Sequence, residues 1–276
     1  MDIINFDSFK QGLHEGVGQG GLEYEARVRK AVTSALRDKK YSDRITLKPD
    51  SAGGFANNVV DMYMTLDGKD VAFEIKMDKN AQMGGPSVKI NKGRELYSFS
   101  AAGDSLEDDV KELIINGVKE KEPAIRNWIK EMKKLEPKEL HARAGDYEVP
   151  FQTTKEAWAD LQGRGMLKPI NTKIVYNERY IHNWYAKKKC YYMQIGQLGL
   201  FYLKENPLNL NIPQFKGEIE IVVRLTRAGS GGTKAFPTQR NSQIRAIANL
   251  KAKGSKSNIS LDRVSDVKKM FEEMIS

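Results

Sequence analysis

One stretch constrains the fold of this chain more than any other: residues 59–77, VVDMYMTLDGKDVAFEIKM. Two segments rich in apolar residues flank the pair Asp67-Gly68, which is among the strongest short-range signals for a β-hairpin. Because side chains alternate between the two faces of a strand, Asp61 belongs to one face of the first strand. On the second strand Glu74 and Lys76 share a face.

The pairing register decides which side chain lies opposite Asp61. With a two-residue turn, Leu66 pairs with Lys69 and Asp61 lies directly across from Glu74. If the turn shifts by one residue, Asp61 lies across from Lys76 instead. Both registers gather two carboxylates and one ammonium on one face of a hairpin whose other face is apolar.

This arrangement is costly as a purely structural feature. Like charges that lie side by side on a sheet repel each other, and burial increases the cost. A divalent cation would remove the repulsion, because carboxylate oxygens such as those of Asp61 and Glu74 are the hard ligands that Mg²⁺ prefers.

The spacing resembles the PD-(D/E)xK nuclease superfamily, in which an Asp on one strand and a Glu-x-Lys on the next form a metal-dependent phosphodiesterase site. The matching residues are Asp61 and Glu74-Ile75-Lys76. The resemblance implies an α/β (α+β) fold with a restriction-endonuclease-like core, a mixed central β-sheet flanked by helices. It also implies that Asp61, Glu74 and the carbonyl of Ile75 bind Mg²⁺, with Mn²⁺ expected to substitute. Lys76 would orient or activate the attacking water.

An acidic residue on the helix before the hairpin often reaches the metal site in this superfamily. The sequence predicts a helix over residues 22–36, which places Glu23 and Glu25 in its first turn. Either could instead interact with the helix dipole. We favour Glu25 as the catalytic candidate, because it falls on the side of the helix that carries Val28 and Val32 towards the core.

A second aspartate competes for the metal. Pro49-Asp50 supplies a literal "PD" before Glu74-x-Lys76. Asp50, however, precedes a Ser-Ala-Gly-Gly loop and is typical of a turn residue. Asp61 lies inside a strand that pairs with the Glu-x-Lys strand, so we rank it higher.

The charge distribution favours a nucleic-acid partner. The net charge is +9, and residues 151–276 carry 21 Lys and Arg against 10 Asp and Glu. A basic surface exposed only to solvent is the alternative explanation. Candidate DNA contacts lie in a glycine-bearing loop after the hairpin, in a lysine triplet beside two tyrosines, and in a basic segment predicted to be mobile. They are Lys79, Lys89 and Lys92; Lys187, Lys188 and Lys189; and Lys234, Arg240 and Arg245.

We expect a nuclease core over residues 1–150 and a basic DNA-contacting or specificity region over residues 151–276, either separate or part of the same domain. The second region is predicted to contain further strands and a terminal helix over residues 261–275. A single cysteine, Cys190, excludes an intramolecular disulfide and favours a reducing compartment. Without a signal-peptide pattern or an apolar run long enough to span a membrane, a cytoplasmic protein is expected.

The function expected from these features is a Mg²⁺-dependent DNA endonuclease, site-specific and of the restriction or phage and mobile-element type. An exonuclease or a repair or recombination nuclease of the same superfamily is one alternative. A non-enzymatic, basic DNA-binding protein is another. Double-stranded DNA is the expected partner, and symmetric cleavage of both strands would call for a homodimer.

Overall fold

The computed structural model describes residues 19–48, 60–83, 87–90, 97–99, 106–135, 152–228 and 240–276. Its helices are α1 (Gln19–Ala35), α2 (Lys39–Ser42), α3 (Asp108–Glu120), α4 (Glu122–Leu135), α5 (Lys155–Gly163), α6 (Arg179–Lys187) and α7 (Val264–Ile275), with a 3₁₀ turn at Lys168–Ile170. Its strands are β1 (Ile45–Leu47), β2 (Met62–Leu66), β3 (Lys69–Lys76), β4 (Ser87–Ile90), β5 (Tyr97–Phe99), β6 (Gln152–Thr153), β7 (Thr172–Asn177), β8 (Cys190–Ile195), β9 (Gly199–Tyr202), β10 (Lys216–Ala228) and β11 (Arg240–Lys253).

The chain forms two compact units that alternate along the sequence instead of dividing at residue 150. The first unit comprises residues 1–81, 178–217 and 252–276, and the second comprises residues 82–177 and 218–251. The surplus of basic residues is shared between them. The first unit carries 23 Lys and Arg against 19 Asp and Glu, and the second carries 22 against 17.

The sheet of the first unit has the strand order β1-β2-β3-β8-β9. Neighbouring strands are antiparallel except for β3 and β8, which run parallel, so the sheet is mixed. Helices pack on this sheet, among them α1 against β3 and α6 against β8. The expectation of a mixed sheet flanked by helices is confirmed at this level.

The hairpin of β2 and β3 has the register of a two-residue turn. Leu66 pairs with Lys69, and the ladder continues to Met62 opposite Phe73. Asp67 and Gly68 have φ values of 47° and 82°, the left-handed conformation at both central positions that a type I′ turn requires. Continued by one residue, this register places Asp61 opposite Glu74.

Helix α1 and strand β3 form the centre of the core in the first unit. Tyr24, Val28 and Val32 lie along the apolar stripe expected for the helix and are almost completely buried. They belong to the same hydrophobic cluster as Phe73 and Ile75 of β3. Complete burial of a side chain of this size contributes about 2 to 3 kcal/mol to the stability of the fold. Packing against α1 therefore fixes the position of β3, the strand that carries Glu74 and Lys76.

The second unit contains a separate sheet with the order β5-β4-β11-β10-β7, in which β6 also pairs with β11. Helix α3 packs against β7, and α4 packs against α5 with Trp128 and Trp158 in edge-to-face contact at 6.3 Å. The expected nuclease core over residues 1–150 placed the helices over residues 106–135 together with the hairpin. They belong to the second unit, and the sheet of the hairpin is completed by β8 and β9 from the later half of the chain.

One segment expected to be mobile is a strand. Residues 240–253 form the 14-residue strand β11, in which Ile244, Ala246, Ala248 and Leu250 are buried at alternating positions. The basic residues between them had suggested a mobile loop, but the two-residue apolar period is that of a strand. None of the helices in the described part of the chain is both long enough and apolar enough to cross a membrane.

Candidate active site

Three charged side chains from the hairpin meet in a largely buried cluster. The ammonium of Lys76 forms an ion pair with Oε1 of Glu74, and its Nζ lies 3.8 Å from Oδ2 of Asp61. The side chains of Lys76, Glu74 and Asp61 are only 14%, 7% and 23% exposed. Because water screens these charges poorly, they interact more strongly than surface charges do.

The main chain and α1 hold the start of β2 in place. The backbone N–H of Ile75 donates to Oδ2 of Asp61 at 2.7 Å, and Nη2 of Arg29 donates to the backbone carbonyl of Asp61 at 2.7 Å. The N–H and C=O of a strand residue point to the same edge of the strand. The Ile75 carbonyl therefore points towards Asp61, beyond the last described pair of the β2–β3 ladder.

Helix α6 contributes a partner that lies 111 residues from Glu74 in the sequence. The buried hydroxyl of Tyr185 donates a hydrogen bond of 2.9 Å to Oε1 of Glu74. The other oxygen, Oε2, is buried and has no hydrogen-bond partner among the residues that the structure describes. Lys76 and Tyr185 thus both donate to Oε1 of Glu74, while Oε2 receives no hydrogen bond from the described residues.

Burial and like charge raise the pKa values of the carboxyl groups around this cluster. The pKa of Asp61 rises to about 6 because of burial and the charge of Glu74, although Lys76 opposes the shift. The pKa of Glu25 rises to about 7 because of burial and then the charge of Asp61. Burial alone would lower the pKa of Lys76, but Glu74 and Asp61 raise it overall, so its ammonium remains charged. The single ammonium of Lys76 therefore interacts with the carboxylates of Glu74, Asp61 and Glu25.

The oxygen atoms of the cluster are of the kind that could hold Mg²⁺ together with water and a phosphate. Among the described residues no group of three or more His, Cys, Asp or Glu side chains is arranged to hold a metal. Mg²⁺, however, is usually bound by one or two carboxylates together with water and substrate phosphate. Oε2 of Glu74, Oδ1 of Asp61 and the Ile75 carbonyl supply oxygen atoms of the required kind. Of these two side-chain oxygens, Oε2 of Glu74 is buried and has no hydrogen-bond partner within the described residues.

The structure separates the acidic candidates. Glu25 interacts electrostatically with Asp61, Glu74 and Lys76 and is partly buried. Glu23 is exposed. Asp50, the competing aspartate, lies outside the described residues.

The basic candidates are spread over both units. In the first unit Lys187 and Lys189 are exposed at the end of α6, and Lys79 is exposed just after β3. In the second unit Arg240 and Arg245 lie in β11 and Lys89 lies in β4, although the side chain of Lys89 is outside the description. Lys92 and Lys234 are outside the described residues altogether.

Lys188 differs from its two neighbours in the triplet. Its side chain is partly buried, and Nζ lies 5.4 Å from the ring centre of Trp184 and 5.6 Å from that of Tyr185. Its charge also lowers the pKa of Asp61, against the larger effect of burial. Of the three lysines, it is Lys188 whose charge acts on the carboxylate cluster.

Sequence reasoning missed two residues that contact the cluster and one buried polar residue in the neighbouring strand β8. Tyr185 and Arg29 contact Glu74 and the backbone of Asp61. Gln194, paired with Ile75 across β3 and β8, donates to the hydroxyl of Tyr24 at 2.8 Å and accepts from the backbone of Leu261 at 2.9 Å. A polar residue inside the apolar strand β8 was a local signal for Gln194. No local pattern pointed to Tyr185.

A scan against protein-family models, a search of curated proteins and a search of solved structures each found no match to this chain.

Proposed function

We propose that this protein is a Mg²⁺-dependent DNA endonuclease that hydrolyses phosphodiester bonds. The observation that carries the proposal is the buried cluster of Asp61, Glu74 and Lys76, in which Oε2 of Glu74 has no partner among the described residues. A buried carboxylate oxygen without a donor costs about 1 to 3 kcal/mol. A cation ligand would remove that cost.

The wider features of the chain support the same class of reaction. The cluster lies on the hairpin of a mixed sheet flanked by helices, the architecture that the PD-(D/E)xK resemblance implies. Glu25 lies on the preceding helix, within electrostatic reach of the cluster. A net charge of +9 suits a polyanionic substrate.

Each residue of the cluster has a role in hydrolysis. Asp61, Glu74 and the Ile75 carbonyl would hold the cation, which when bound would polarise the scissile phosphate and make a bound water more acidic. Lys76 orients the attacking water and stabilises the negative charge that develops on the phosphate oxygens. The attacking water gives up a proton to solvent as its oxygen forms a bond to phosphorus, a bridging P–O bond breaks, and the leaving oxygen takes up a proton from solvent. Lys188 contacts a substrate phosphate beside Asp61.

The test is cleavage of supercoiled plasmid DNA in Mg²⁺ by the wild type and by Asp61→Asn, Glu74→Gln and Lys76→Met. We expect each substitution to reduce the cleavage rate by at least about 100-fold, since each removes a metal ligand or the charge that stabilises the transition state. Asp70→Asn is the matched control. Asp70 lies on the same hairpin but is exposed and paired with Lys48, so this variant should cleave at the wild-type rate.

Cleavage that survives all three substitutions would overturn the proposed site. The form of the DNA then distinguishes an endonuclease from an exonuclease of the same superfamily. An endonuclease nicks or linearises a closed circle, whereas an exonuclease degrades only the linear form. DNA binding without Mg²⁺-dependent cleavage of either form would favour the non-enzymatic alternative.

A further inference from the structure

Tyr185 is a buried titratable residue to which the proposed reaction assigns no role. Its side chain is 1% exposed, and its hydroxyl donates to Oε1 of Glu74 at 2.9 Å. A buried tyrosine hydroxyl commonly has a hydrogen-bond partner, so the bond alone does not imply a role in function. The unequal hydrogen bonding of the two oxygens of the Glu74 carboxylate is what points to such a role.

Both donors to Glu74 bind the same oxygen. Tyr185 and Lys76 use Oε1, while Oε2 is buried without a partner in the described residues. A carboxylate held only for stability would be expected to receive donors on both oxygens, since each has acceptor capacity. One occupied and one unoccupied oxygen is the arrangement expected of a carboxylate that binds a ligand through a single atom.

We propose that Tyr185 is a positioning residue that anchors Oε1 of Glu74, so that Oε2 is the oxygen presented to the divalent cation. This inference rests on the proposed function. Partners that orient a metal ligand from behind typically affect metal affinity or activity by about 10- to 100-fold.

Lys76 cannot perform this anchoring throughout the reaction. Its ammonium is shared between Glu74 and Asp61, and it is needed at the water and the phosphate during hydrolysis. When Lys76 turns to the substrate, Oε1 loses one of its two donors. The hydroxyl of Tyr185, on a helix packed against β8, remains and keeps the carboxylate from rotating.

The test is the affinity for Mn²⁺ of the full chain without DNA, measured by electron paramagnetic resonance of the free ion. We expect Tyr185→Phe to raise the dissociation constant by about tenfold, because the ring stays packed while the anchor is lost. The Mg²⁺ concentration needed for half-maximal cleavage should rise by a similar factor. The rate at saturating Mg²⁺ should recover towards that of the wild type.

Tyr192→Phe is the matched control. Tyr192 is also fully buried in the first unit, and its hydroxyl donates to Oδ1 of Asn206 at 2.8 Å, away from the carboxylates. This variant loses that hydrogen bond and also the one that the hydroxyl accepts from the N–H of Leu208 at 2.8 Å, yet its Mn²⁺ affinity should remain at the wild-type value. An equal loss of affinity in both variants would indicate a general effect of packing and would overturn the inference.

Two outcomes separate this inference from the function on which it rests. If Glu74→Gln abolishes Mn²⁺ binding and Tyr185→Phe leaves it unchanged, the positioning role is wrong and the metal site stands. If Glu74→Gln and Asp61→Asn bind Mn²⁺ as the wild type does, the proposed metal site itself is wrong.

Discussion

The partly buried carboxyl of Glu25 shows how a residue of the candidate site affects the stability of the protein. Glu25 is partly buried, and the charges of the Asp61 and Glu74 carboxylates both raise its pKa. Burial and the charge of Asp61 raise its pKa from 4.5 to about 7. The charged form is therefore destabilised in the folded protein relative to the unfolded chain.

Replacement of Glu25 by Gln should consequently stabilise the protein in metal-free buffer, and the gain should depend on pH. Below pH 4.5 the carboxyl is protonated in both states, so the gain is near zero. It grows as the pH rises from 4.5 to 7 and is complete above that range. We expect roughly 1 to 3 kcal/mol at pH 8, since one pKa unit corresponds to about 1.4 kcal/mol and partial exposure reduces the effect.

The measurement is chemical denaturation of wild type and Glu25→Gln at pH 5 and pH 8. Glu23→Gln is the control, because Glu23 is exposed two residues away on the same helix. A gain that is the same at both pH values would show that the carboxyl of Glu25 is not perturbed in the folded protein.

At the scale of elements, the parallel pairing of β3 with β8 determines the position of the Lys76 backbone. The ladder runs to Lys76 opposite Ile195, and the N–H of Gly196 then donates to the carbonyl of Lys76 at 2.8 Å. A Cβ atom at Gly196 would lie 1.9 Å from the backbone oxygen of Met77. Only glycine permits the two strands to approach this closely.

Gly196→Ala should therefore destabilise the protein by at least about 2 kcal/mol, because backbone atoms must move apart to remove the overlap. Urea denaturation followed by circular dichroism measures the change. Gly21→Ala is the matched control, since a Cβ in that position of α1 meets no atom within 4 Å. It should leave stability unchanged or raise it by about 0.5 to 1 kcal/mol. A fully stable Gly196→Ala protein would contradict the parallel pairing at this point.

At the scale of the whole molecule, both units carry a positive net charge. The surplus of basic residues in the C-terminal half of the sequence is thus divided between the two units. A DNA complex of such a protein gains affinity when Lys and Arg release counterions from the phosphates.

The affinity of the full chain for double-stranded DNA should fall steeply with salt. Cleavage-deficient Asp61→Asn protein allows binding to be measured by fluorescence anisotropy with a labelled duplex. Between 50 and 200 mM salt we expect a loss of at least about 100-fold, the consequence of several phosphate contacts. An affinity independent of salt, or no binding at low salt, would exclude DNA as the polyanionic partner.

The limits of sequence reasoning follow from the distance over which each feature is determined. The turn at Asp67-Gly68 and the presence of a terminal helix were predicted because a few neighbouring residues decide them. Strand β11 was missed because its basic residues obscured a two-residue apolar period. The division into units was missed because residues 82–177 separate β3 from the helix and strands that complete its sheet.

The sequence by itself determined the hairpin and the shared face of Asp61, Glu74 and Lys76, while the structure selected one of the two possible registers. Turn chemistry at Asp67-Gly68 and the alternation of strand side chains are local, and the local preferences agree with each other. Only the tertiary structure decided that Tyr185 binds one oxygen of Glu74 and leaves the other without a partner in the described residues. That contact joins residues 111 positions apart, and it depends on burial and strand pairing summed over the whole unit.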